Sequence, residues 1–195
     1  MDLSPRAQER LARIGALSDV EAKRLHQERD VESLLAPFFT GAATAEELWQ
    51  RTKDLAASAG PEVIRQAQEK LVATFSLHMT DDDFERRKAA VLALETLKKG
   101  GKYSALELLL GSIVSLRQRY NEIKEQALDQ VREQMADQVQ AAAEQARRQG
   151  MLVDTASTIE ASLKASPEWR DFITRHDAAA QKTLNDYLGR IGSML

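Results

Sequence analysis

YSALELLLGSIVSLRQRYNEIKEQALDQVREQMADQVQAAAEQARRQ, residues 103–149, decides the fold. It contains no proline and a single glycine, Gly111. At the α-helical rise, one continuous helix here would be about 70 Å long. A compact chain of 195 residues is only about 42 Å across. Such a helix must project, pair with another chain, or break. Continuity is expected, because one glycine costs about 1 kcal/mol; a kink would fall at Gly111-Ser112.

The apolar positions of this stretch define a seam. Leu106, Leu109, Ile113, Leu116, Tyr120, Ile123 and Ala127 recur every 3.5 residues on average, the coiled-coil period. Ala127, Val131, Met135, Val139, Ala142 and Ala146 continue it at an average of 3.8, straight or slightly right-handed. The seam thins as it goes. Residues 126–150 hold seven glutamines and six alanines, so this part packs weakly, with Gln126, Gln130, Gln134 and Gln138 alongside. A lone helix with this face gains little without a partner. Leu116, Tyr120, Ile123, Ala127, Val131, Met135, Val139, Ala142 and Ala146 are therefore the candidate interaction seam.

Upstream, five helices are expected in the first hundred residues. Ser4-Pro5 opens the first, running through Leu11 and Ile14 to Gly15. Ser18 and Glu21 form a capping box for the second, which should end near Ala36 because Pro37 follows. Thr44 and Glu47 cap the third, toward Ser58. Gly60-Pro61 starts the fourth, with Ile64, Ala67, Leu71 and Phe75 on one face. Thr80 caps the fifth, whose first turn is Asp81-Asp82-Asp83; it closes at Lys98-Lys99-Gly100-Gly101. Beyond Gly150, Ser157 and Glu160 box a short helix ending near Ser166. Ser166-Pro167 then opens the last, with Trp169, Phe172, Ile173, Leu184, Tyr187, Leu188 and Ile191 on one stripe. The fold class is all-α: an N-terminal helical bundle (1–101), a long coiled-coil-like central helix (102–150), and C-terminal helices folding back on it (151–195).

Composition excludes much chemistry. There are no cysteines, so disulfides, thiolate nucleophiles and cysteine metal sites are out. Net charge is −3, with 15 basic and 17 acidic groups in residues 1–100 and 12 and 13 in the rest. Neither part has the basic excess of a nucleic-acid binder. No apolar run approaches the roughly 20 residues of a bilayer span, and MDLSPRAQER lacks a signal-peptide core; the expected compartment is the cytoplasm.

No catalytic, cofactor or metal site is expected. Asp81-Asp82-Asp83 near His78 suggests metal ligands, but Asp82 and Asp83 stand four residues before Arg86 and Arg87, the spacing of intrahelical ion pairs. Gly100-Gly101-Lys102-Tyr103-Ser104 suggests a phosphate cradle, yet Thr96 and Tyr103 break the Walker pattern. His78 and His176 extend apolar stripes, and no histidine has the Glu or His spacing of a bundle metal site. The expected function is a non-enzymatic interaction or scaffolding protein, its partner a second copy (a homodimer) or another helical protein. One alternative is a small-ligand module with a pocket lined by Trp49, Phe75, Phe84 and Leu108. Another is a peripheral membrane or granule-surface protein, against which the Gln/Glu-rich polar face argues.

Overall fold

A computed structural model describes residues 19–149 and 166–195. Among these are six helices and no strand: α1 (Asp19–Phe39), α2 (Ala45–Ala59), α3 (Glu62–Val72), α4 (Asp81–Glu95), α5 (Tyr103–Arg148) and α6 (Pro167–Gly192). The fold is all-α. The helix expected between Ser4 and Gly15 and the short one from Ser157 toward Ser166 lie outside the described residues.

The chain divides into two compact units. The first contains α1 to α4. Here α1 packs on α2 and α3, and α2, α3 and α4 pack on one another. Phe38 and Leu35 from α1, Leu48 from α2, Leu71 from α3, and Phe84 and Leu94 from α4 are all fully buried. Each such side chain is worth about 1.5–3 kcal/mol.

The capping signals at Thr44 and Thr80 operate as written, while Ser18, expected to cap α1, lies outside the described residues. Thr44 accepts from the Glu47 amide (3.2 Å) while the Glu47 carboxylate accepts from the Thr44 amide (2.7 Å), a complete capping box. Thr80 accepts from the Asp83 amide, placing three carboxylates in the positive first turn of α4.

Three boundaries differ from the sequence expectation. α4 ends at Glu95 with Thr96 as its C-cap, short of Lys98-Lys99-Gly100-Gly101 and without a cation in its last turn. α1 runs through Pro37 to Phe39 instead of ending near Ala36. Proline's missing N–H leaves one carbonyl of the preceding turn without its helical bond, but Phe38 is 0% exposed. Burial of that ring and a hydrogen bond from Arg86 to the Phe38 carbonyl outweigh the steric preference. α3 ends at Val72, before Phe75. Tight turns from Thr74 to Leu71 and Phe75 to Val72 follow, yet Phe75 stays buried, its ring 4.8 Å from Phe84. The core keeps the side chain although the helix does not reach it.

The second unit comprises Ser76–Met79, α5 beyond Tyr103, and α6. α5 is one unbroken helix of 46 residues, about 69 Å long, and it passes through Gly111 without a break. α6 has 26 residues, about 39 Å. Lys98, just before α5, donates to the carbonyl of Leu195, just past α6 (3.3 Å), while Tyr120 meets His176 and Asp177 in the helix interiors. The two helices therefore run antiparallel.

Candidate functional site

The meeting of α5 and α6 is built around Tyr120. Ser166 caps α6 by accepting from the Trp169 amide (3.2 Å), and the apolar stripe that follows turns Ala180, Leu184 and Ile191 inward. One turn earlier on the same face come Phe172, His176 and Asp177, all half-buried. The His176 ring lies parallel to that of Tyr120 (4.8 Å, 3°), and its Nε2 sits 2.9 Å from the Tyr120 carbonyl. The Tyr120 hydroxyl donates to Asp177 (2.8 Å). Phe172 stacks beyond His176 and Trp169 beyond Phe172. From the 76–79 turn, His78 meets the Tyr120 ring edge-on (5.7 Å). Burial, then the hydrogen bond to anionic Asp177 and its charge, push the Tyr120 hydroxyl up to about 12.

Tyr120 is thus 2% exposed, a seam residue engaged within its own chain. Leu116 is half-buried and Ile123 is exposed at 39%. Ala127, Val131, Met135, Val139 and Ala146 are half-buried, and the side chain of Ala142 lies outside the described set. Leu128 and Ala136 share the face of Val131 and Met135, as does Ala143, 4% exposed; the periodic count had not included these three. Around this face Glu122, Glu125, Gln126, Gln130, Glu133 and Gln134 are exposed. With Tyr120 level with His176, the start of α6 comes opposite about residue 129. The remaining length of α5, about 30 Å, extends beyond α6.

In the first unit the sequence reading missed a buried polar knot. Glu95 and Gln68 are 2% and 0% exposed. Gln68 Nε2 donates to the Val91 carbonyl (3.0 Å) and to Glu95 (2.9 Å). Glu95 also accepts from the Lys102 amide (2.7 Å) and pairs with Lys98 (3.1 Å). Burial alone would push the Glu95 carboxyl up; Gln68, the Lys102 amide and Lys98 outweigh it and hold it below the usual carboxylate range. The signal was a polar residue on each apolar stripe, Gln68 four residues after Ile64 and Glu95 four after Val91. The knot also explains the glycine-rich loop. Its Lys102 amide is taken by the chain's own carboxylate, and a Cβ on Gly101 would come within 3.1 Å of the Glu95 carboxylate.

Beside the acidic first turn of α4, one arginine pairs with an aspartate and the next turns elsewhere. Arg86 binds Asp83 (2.8 Å), one residue closer than the expected spacing. Arg87 turns to the Thr74 carbonyl (3.2 Å) and stacks over Phe39. Among the described residues no three His, Asp or Glu side chains converge as a metal site does. Phe75 and Phe84 fill the core against each other, Trp49 donates its indole N–H to Thr96 (3.0 Å), and Leu108 is 73% exposed. A groove of about 860 Å³ between α1 and α3 is open and lined almost wholly by charged and amide side chains such as Arg24, Glu28, Arg65 and Glu69. No described helix is long and apolar enough to cross a membrane.

Residues 49–191 match the model of a family of unknown function, DUF6657. The chain belongs to that family. The matched region starts within α2 and ends in α6, so it holds the Glu95–Gln68 knot, all of α5, and the Tyr120 junction. No curated protein and no solved structure matches the chain.

Proposed function

We propose that this protein is a non-enzymatic helical interaction protein, a scaffold that self-associates as a homodimer or binds another helical protein through the distal part of α5. The observation that carries the reading is the mismatch of lengths, a 46-residue α5 against a 26-residue α6. Beyond α6, Val131, Met135, Val139 and Ala146 form one half-exposed apolar face flanked by glutamines. Helices in water owe most of their stability to packing, so a face of this kind gains by a partner. The cysteine-free sequence supports placement in the cytoplasm. The exposed face of α5 is rich in Glu and Gln rather than Lys and Arg, which disfavours a membrane surface.

Sedimentation velocity tests it. The intact protein should sediment above its 21.8 kDa chain mass, and Val131→Asp with Val139→Asp should return it to a monomer with unchanged circular dichroism. If the wild type sediments as an oligomer and the double variant keeps that mass, the seam is not the interface.

A further inference from the structure

We draw no further inference here: the strongest candidate, the shallow groove of about 340 Å³ that Ala89, Leu92, Ala93 and Thr96 of α4 form with Tyr103 at the start of α5, is an unpartnered apolar patch, and nothing in the structure shows what covers it.

Discussion

Tyr120 shows how one side chain can be read in two ways. Its spacing places it on the seam, and its packing commits it to His176 and Asp177. Because its hydroxyl is raised to about 12, the neutral form is favoured in the folded state. Its contribution to stability is complete below the ordinary tyrosine value near 10 and is lost as pH rises from there through about 12. One of the three tyrosines should therefore ionise near pH 12 in an absorbance titration of phenolate. Stability should fall by about 3 kcal/mol across that window, and Tyr120→Phe should flatten the fall. Glu95 works in the opposite direction. Its lowered carboxyl contributes stability present above the ordinary glutamate range and lost as pH falls through its own titration. Glu95→Ala would leave the Lys102 amide and Gln68 without their acceptor, at a cost of about 3 kcal/mol by urea unfolding at pH 7, with a shallower acid limb. A stability within 1 kcal/mol of wild type would show that the knot contributes little.

Among the elements, α5 is where sequence and structure agree most closely. Absence of proline, strong helix formers and the small cost of one glycine suffice to carry it through Gly111. A Cβ placed on Gly111 meets no atom within 4 Å, so Gly111→Ala should stabilise by about 1 kcal/mol, read as a higher thermal midpoint; a drop would mean that the helix needs its glycine. Thr44→Ala should cost about 1 kcal/mol by removing the capping box of α2. The ends of α1 and α3 were harder to read. Local preference stops α1 at Ala36, but the buried Phe38 ring draws it on. The apolar stripe of α3 points to Phe75, which remains in the core after the helix has ended. Packing rewards the position of a ring, whatever backbone delivers it.

For the whole molecule, association links stability to concentration. If the distal α5 face holds two copies together, the thermal midpoint should rise by a few degrees over a hundredfold increase in protein concentration. Val131→Asp with Val139→Asp should abolish that rise. A wild-type midpoint that ignores concentration would count against the dimer. The sequence by itself determined the all-α class, the caps of α2, α4 and α6, and the length of α5. These depend on propensity, proline and glycine placement, and side chains three or four residues away. Only the tertiary structure decided that Tyr120 faces His176 and Asp177, that Gln68 and Glu95 bind each other across 27 residues of chain, and that Glu95 fills the glycine loop. Those contacts join segments far apart in sequence, and which buried polar groups find partners depends on geometry that no local period encodes.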